Sequence, residues 1–429
     1  MKAVISNRIY MDIEPSYYST LDASLTYKIE SFRRDAAPTI IKNLRKIKGN
    51  IVSIPVGRTD LIPGGYSIVE KRTLVPTDFP EFKFSLRESQ EEVFNKITGN
   101  AIINAFVSWG KTFTALAIAK KLGQKTLVVT HTVALREQWE REVQKVFGIK
   151  SGVIGSGIAN MEGPITIGNI QSLYKLRGAI EKTFGTIIID ECHHIPATTF
   201  SKLVDASYAK NKIGLSGTVE RKDGKHVLLP DYFGHTKFTP PKENYIIPYV
   251  DVIKTDIRFM DGANIPWANR INDLVSQEEY GKLVCFLAAA YRQKGHKVLL
   301  LSDRVHFLKR IKETLTEYCE LITGEVPRKE RYEKLLRVQN GEINILLGTQ
   351  SIFSEGISVN PLSCLILATP VSNTPLLTQL IGRVVRESPG KKQPIIVDIN
   401  LKGKTAEKQA KLRLGHYLKE NYKVYFNNM

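Results

Sequence analysis

The sequence predicts an α/β protein of two tandem units built on parallel sheets, preceded by a small α+β module. Three observations predict it. From Phe84 onward, short apolar strands alternate with amphipathic helical stretches, the pattern of βαβ units. The series runs twice, and between the runs HTKFTPPKENY (235–245), rich in proline and polar residues, breaks it. Before Phe84 the style differs, with β-branched and aromatic runs separated by turn signals. The expected boundaries are 1–80 for the module, 81–238 for the first unit and 239–429 for the second, which closes on a basic helix.

Length and composition fit that division. The 429 residues suffice for two or three cores, and 42% hydrophobic with 24% charged residues describes a globular protein. No apolar run approaches the roughly 18 residues of a membrane helix, and the N-terminus lacks the apolar core of a signal peptide. Cys192, Cys285, Cys319 and Cys364 lie far apart with no CxxC pair, so a reducing cytoplasm is expected. The net charge of +18 favours a polyanionic partner, nucleic acid ahead of an anionic membrane.

In the module, IVSIPVGRTDLIPGGYSIVEKRTLV reads as two strands joined in a hairpin at Pro63-Gly64-Gly65. Ahead of it, Pro38 to Lys48 reads as a helix displaying Lys42, Arg45, Lys46 and Lys48. In the first unit the strands expected are Ala101–Ile103, Thr126–Thr130, Ile165–Ile167, Thr186–Ile189 and Lys212–Leu215. Val298–Ser302, Leu321–Thr323, Ile343–Gly348, Cys364–Ala368 and Pro394–Asp398 follow in the second.

AFVSWGKT (105–112) sits between the first of these strands and a helical stretch. A loop there aims backbone N–H groups and a helix N-terminus at a polyphosphate. Lys111 can reach the β- and γ-phosphates, and the Thr112 hydroxyl can ligate Mg²⁺. Ser108, Trp109 and Gly110 complete the cradle, although Ala105 and Ser108 stand where glycines are usual. Further on, IIIDECHH (187–194) puts two acids just past an apolar strand, at the sheet edge where open parallel sheets bind ligands. Asp190 can hold Mg²⁺ through water, and Glu191 can polarise an attacking water; phosphoryl transfer needs little beyond positioning and charge neutralisation. A zinc site from Cys192, His193 and His194 is the rival. Adjacent residues diverge at a strand end, and no second ligand pair closes a tetrahedron.

Asp-Glu-x-His downstream of a GKT loop resembles the DExH group of superfamily 2 helicases, and the rest of that family's series follows in order. LRESQEEVF (86–94) resembles its adenine-reading element, with Gln90 as the contact. VVTHTVALREQW and IGNIQSL resemble the first unit's nucleic-acid elements, which implies contacts from Thr130, Arg136 and Gln171. LSGT (215–218) resembles the coupling motif, assigning Ser216 and Thr218. LLLSDRVHFL, TQSIFSEGISV and QLIGRVVR resemble the motifs of a second RecA-like domain. They imply nucleic-acid contacts at Arg304 and Thr349, coupling at Glu355 and Gly356, and nucleotide sensing or transition-state contacts at Gln379, Arg383 and Arg386. The resemblance spans Phe84 to Arg386. On one helix Gln379, Arg383 and Arg386 would share a face, being spaced i, i+4 and i+7.

Within the superfamily the likeness is closest to XPB-like and phage UvsW-like DNA translocases, through LRESQ, the doubled histidine and GLSGTVERKDG. Val219 and Ser358 depart from that pattern, as does Ser108-Trp109. The resemblance implies ATP and Mg²⁺ as cofactors and forked or branched DNA as substrate, with recombination or replication proteins as candidate partners. Fork regression and branch migration are the implied tasks. An RNA helicase of the DExH type and a nucleic-acid-binding subunit with a decayed ATPase are the alternatives. Arg45 and Lys46 are the module's candidate duplex contacts. The last segment (401–426) interleaves Tyr417, Tyr422, Tyr425 and Phe426 with lysines, which suits base stacking. Packing through Leu412, Leu414 and Leu418 is the favoured reading there.

Overall fold

The computed structural model describes residues 1–29, 37–195, 198–217, 223–262, 264–354, 359–371 and 373–429. The chain divides into two compact units, Met1–Lys242 and Glu243–Met429.

In the first unit an eight-stranded sheet is ordered Ile158–Asn160, Gly152–Gly155, Ile165–Asn169, Thr126–Thr130, Thr186–Ile189, Asn211–Ser216, Ala101–Asn104 and Lys237–Phe238. All pairs are parallel except the outermost, Gly152–Gly155 with Ile158–Asn160. The central strands are buried on both faces, which is why they read as unbroken apolar runs. One apolar cluster forms around Trp109, Leu116, Trp139 and Phe147, another around Leu173, Phe184, Leu203 and Phe233.

The N-terminal residues form a five-stranded sheet, ordered Arg45–Lys48, Ile51–Pro55, Arg8–Asp12, Lys2–Ile5 and Ser67–Glu70, with its own core around Ile9, Leu21 and Ile54. Two readings of the sequence are corrected here. Pro38–Lys48 is not a helix: Thr39–Lys42 pairs antiparallel with Thr26–Ile29, and Arg45–Lys48 with Ile51–Pro55. Thr39, Ile40 and Ile41 are β-branched and suit a pleated surface. The hairpin at Pro63-Gly64-Gly65 is absent too. Ile51–Pro55 pairs with Arg8–Asp12, whereas Ser67–Glu70 runs parallel to Lys2–Ile5 on the far side.

The N-terminal residues are fastened to helices of the first unit by polar contacts. Asp231, fully buried, accepts from the Tyr27 hydroxyl at 2.7 Å and from Asn43 Nδ2 at 2.5 Å, with Arg58 at 3.5 Å. Asp205 takes Arg8 at 3.2 Å and Arg45 at 2.8 Å. At Gly57 the two backbones meet so closely that a Cβ would lie 2.2 Å from the Pro230 carbonyl oxygen. Only glycine fits there.

The second unit carries a seven-stranded, wholly parallel sheet, ordered Cys319–Ile322, Ile345–Thr349, Val298–Ser302, Cys364–Leu367, Ile395–Lys402, Tyr249–Arg258 and Lys423–Asn428. The helix Lys404–Lys419 packs on it with Leu414 alone of the three expected leucines partly buried. Leu412 and Leu418 are more than half exposed, whereas Arg413, His416 and Tyr417 are buried. Asp398 sets that register, taking the Arg413 guanidinium at 2.7 Å and the Tyr417 hydroxyl at 2.9 Å.

Candidate active site

The loop after Ala101–Asn104 turns through Ser108 (φ 89°) and Gly110 (φ 92°) into the helix Lys111–Leu122. A Cβ at Gly110 would lie 2.7 Å from Gln90 Nε2, so both conformation and space call for glycine. Trp109 is fully buried: its indole donates to Ser89 Oγ at 2.8 Å, and its carbonyl accepts from Gln90 Nε2 at 2.7 Å and from Arg87. The expected cradle can therefore use only the Trp109 backbone, since the side chain is committed to the core. It is the hydrophobic anchor of the loop, filling the space behind the turn. Gln90 is also buried, its Oε1 accepting from the Arg87 backbone N–H at 3.0 Å. Its amide therefore braces the loop rather than standing open for a base.

Lys111 and Thr112 open the helix and are partly exposed. The Lys111 ammonium donates to the Ala105 carbonyl at 2.8 Å. A Cβ at Gly217 would lie 3.6 Å from the same nitrogen, which brings the end of Asn211–Ser216 beside the loop.

Asp190 and Glu191 follow the strand Thr186–Ile189 on the same carboxyl edge. Trp139 donates its indole N–H to Asp190 Oδ2 at 2.8 Å, and the Glu191 backbone N–H donates to Oδ1 at 3.0 Å. Burial first, then the Glu191 charge, raises the Asp190 carboxyl to about 6, with Lys111 and Trp139 opposing. Glu191 holds a left-handed backbone at φ 49°, sparsely populated for a side chain of its size. His193 Nδ1 lies 3.3 Å from the Glu191 carboxylate and 2.9 Å from Ser216 Oγ, so one imidazole spans the acid and the strand Asn211–Ser216. Behind it the His194 ring packs at a tilt against His193, with centroids 4.3 Å apart, and against His131, 4.5 Å apart.

These residues fit Mg²⁺ carried by a nucleotide. A buried carboxylate with spare acceptor capacity and a helix-start hydroxyl suit a cation that keeps waters and phosphates as its other ligands. Among the described residues, no group of three or more His, Cys, Asp or Glu side chains could hold a metal ion. Cys192 is buried in the apolar cluster with its thiol pushed well above the ordinary range, turned away from the zinc chemistry considered above.

The other expected contacts sort by burial. Thr130 and Arg136 are buried. Thr130 Oγ donates to Thr132 and Gly168 carbonyls, and Arg136 is committed to Glu140 at 2.9 Å and Asn169 at 3.2 Å. Their side chains shape the edge instead of touching a strand laid on it. Gln171 is exposed at the same edge. In the second unit Thr349 lines a cavity of about 600 Å³ with Asp303, Gly324, Gln350, Ser351 and Leu376. Arg304 is turned aside, donating to Asn272 at 2.6 Å and to the Ala268 carbonyl. Arg45 is paired with Asp205, and Lys46 is exposed.

Gln379, Arg383 and Arg386 do not share a helix. Thr374–Ile381 ends before Gly382, so only Gln379 is helical. Arg383 is buried in the following turn, its Nε donating to the Phe353 carbonyl at 2.7 Å, and Arg386 bridges to Tyr245. Thr218, Glu355 and Gly356, with the departures Val219 and Ser358, lie outside the described residues.

Residues 83–221 match the family model of the type III restriction enzyme res subunit, and 279–388 match the helicase conserved C-terminal domain. Across 99% of this chain and 96% of its relative, the sequence is 40% identical to a protein of Escherichia phage T5 described as "Probable helicase D10". The chain is a superfamily 2 helicase. Like other helicases of this superfamily, it has two RecA-like domains. It is also 24% identical to the "DNA 3'-5' translocase XPB2" of Sulfurisphaera tokodaii, over 78% of this chain and 86% of that one. The Pyrococcus furiosus Hef helicase domain aligns at a TM-score of 0.52 and 15% identity, covering 76% of this chain and 97% of that one, a likeness of fold. In this helicase, the sequence missed Trp139 as the partner of Asp190 and Arg87 as a brace of the loop. Trp139 carried a signal, since it closes the REQW run of a recognised motif.

Proposed function

We propose that this helicase is an ATP-dependent, Mg²⁺-requiring DNA translocase that remodels forked or branched DNA. The observation that carries the ATPase is the gathering of Lys111, Asp190, Glu191, His193 and Ser216 at one sheet edge. Bound Mg²⁺-ATP supplies the phosphoanhydride and the charge that polarises it. Lys111 would exchange the Ala105 carbonyl for phosphate oxygens, and Thr112 with Asp190 would hold the cation's waters. Glu191 would orient and deprotonate the attacking water, and His193 would report its state to Ser216. Arg383 and Arg386 of the second lobe would stabilise charge on the γ-phosphate, with Gln379 sensing it. Thr218, Glu355 and Gly356 would carry coupling.

The charge of +18 supports a nucleic-acid substrate, and the name of the XPB2 relative, a DNA translocase, favours DNA. We assign residues 1–80 to substrate contact, 81–238 to ATP binding and 239–429 to the second lobe. The exposed edge strand Arg45–Lys48 would touch a duplex arm, with Lys46 freer to do so than Arg45. Among the described residues no helix is long and apolar enough to cross a membrane, and the four cysteines are buried thiols, in keeping with a reducing cytoplasm. ATP hydrolysis measured with single strands, duplex, forks, four-way junctions and matching RNA tests the reading. The largest stimulation should come from forks and junctions. Stimulation by RNA above every DNA would move the assignment to an RNA helicase.

A further inference from the structure

The edge strand Lys423–Asn428 is the last of the second sheet, pairing on one side with Tyr249–Arg258. Its register sets Phe426 opposite Val252 and Asn428 opposite Lys254, so these residues share a face. Val252 is buried, yet Phe426 keeps 52% of its surface in solvent. Lys254 Nζ stands 5.0 Å from the Phe426 ring centroid, a cation held at an aromatic face. Between this strand and the helix Lys404–Lys419 lies a cavity of about 190 Å³, lined by Val252, Asn400, Lys411, Leu414, Tyr417 and Phe426. Drug-sized ligands occupy roughly 300–1,000 Å³. This notch is smaller, suited to one planar ring.

We propose that the notch binds one unstacked base of a single-stranded nucleic acid, with Phe426 as the stacking platform. Phe426 and Leu414 offer apolar walls to a π-face, and the Asn400 amide offers a donor and an acceptor to a base edge. Lys254 and Lys411, both exposed, stand ready for the flanking phosphates. The acids nearby do not cancel them: Asp398 is taken by Arg413 and Tyr417, which leaves Glu407 as the cavity's other carboxylate. On the strand's opposite face Tyr425 is 47% exposed against Tyr249, whose ring lies 5.8 Å from Lys423 Nζ. Each face therefore sets an exposed aromatic near a lysine. The strand runs parallel to Ile345–Thr349 and ends on the same edge, five strand spacings or about 24 Å away. A strand lying over Thr349 can continue there.

The proposal rests on the reading of the chain as a nucleic-acid motor, and its test separates the two. The full-length protein, free of nucleotide, is titrated into a fluorescein-labelled oligothymidylate and into the same oligonucleotide with abasic sites. Phe426→Ala should bind the thymidylate roughly five- to a hundred-fold more weakly, the usual yield of one stacked base. Phe426→Leu, which keeps the packing volume without the ring, should match it, and Phe426→Trp should restore binding. The abasic strand should bind wild type and Phe426→Ala alike. Wild-type affinity in the leucine variant overturns the site. So does an equal loss on the abasic strand, or an oligoglutamate that displaces the strand from wild type by way of Phe426. If no nucleic acid stimulates ATP hydrolysis by wild type, the motor reading fails instead, whatever the notch binds.

Discussion

Trp139 donates its indole N–H to Asp190 Oδ2 at 2.8 Å, which ties the helix Val133–Phe147 to the acid expected to hold Mg²⁺. A buried carboxylate loses much of its hydration, and this donor replaces part of it. Trp139→Phe keeps a ring in the core but deletes the donor, at a cost of about 1–3 kcal/mol. The expected outcome is a folded protein that needs more Mg²⁺ for half-maximal ATP hydrolysis. Denaturant unfolding alongside a Mg²⁺ titration measures both effects.

The buried Asp231 makes the N-terminal sheet part of the first unit's fold. Burial raises its carboxyl above the ordinary range, while Asn43, Tyr27 and Arg58 pull it back. Tyr27→Phe should destabilise the protein by about 1–3 kcal/mol through the unsatisfied carboxylate. A chain lacking the first 76 residues should lose more, since it strips Tyr27, Asn43 and Arg58 together. Wild-type thermal stability in either would contradict this role.

Lys212 is fully buried, its ammonium donating to the carbonyls of Ser207 and Ala209 at 3.2 and 3.0 Å. Burial chiefly, with Arg72 adding, lowers it from 10.5 to about 7. Between those values the unfolded chain binds the extra proton, so this residue's contribution to stability rises with pH from about 7 toward 10. Below 7 both states are protonated and the penalty is complete. Lys212→Met should be more stable near neutrality and show a flatter pH dependence than wild type. Parallel slopes in urea unfolding at several pH values would refute it.

How legible was all this in the sequence? Thr126–Thr130 and Thr186–Ile189 were readable to the residue because continuous buried β-branched runs have few other uses. The placement of Lys111, Asp190 and Glu191 at one sheet edge was readable because loop and strand-end positions are set locally. Pro38–Lys48 misled because Lys42, Arg45, Lys46 and Lys48 imitate a polar helical face; Thr39–Lys42 finds its partner upstream in Thr26–Ile29, and Arg45–Lys48 folds back on Ile51–Pro55, which follows directly. The spacing of Gln379, Arg383 and Arg386 implied a shared face only if the helix continued, and it stops at Ile381. Trp109 and Gln90 look like nucleotide contacts in a linear motif. Only packing shows that the indole and the amide hold the loop from behind.

The central claim is that ATP hydrolysis at this edge is driven by nucleic acid. Phosphate release is the direct measurement, taken on wild type, Lys111→Ala and Glu191→Gln, with and without forked DNA. The account predicts strong stimulation of wild type, weakened nucleotide binding and turnover in Lys111→Ala, and retained ATP binding without turnover in Glu191→Gln. Turnover at the wild-type rate in Glu191→Gln, or a wild-type rate indifferent to every nucleic acid, would contradict it.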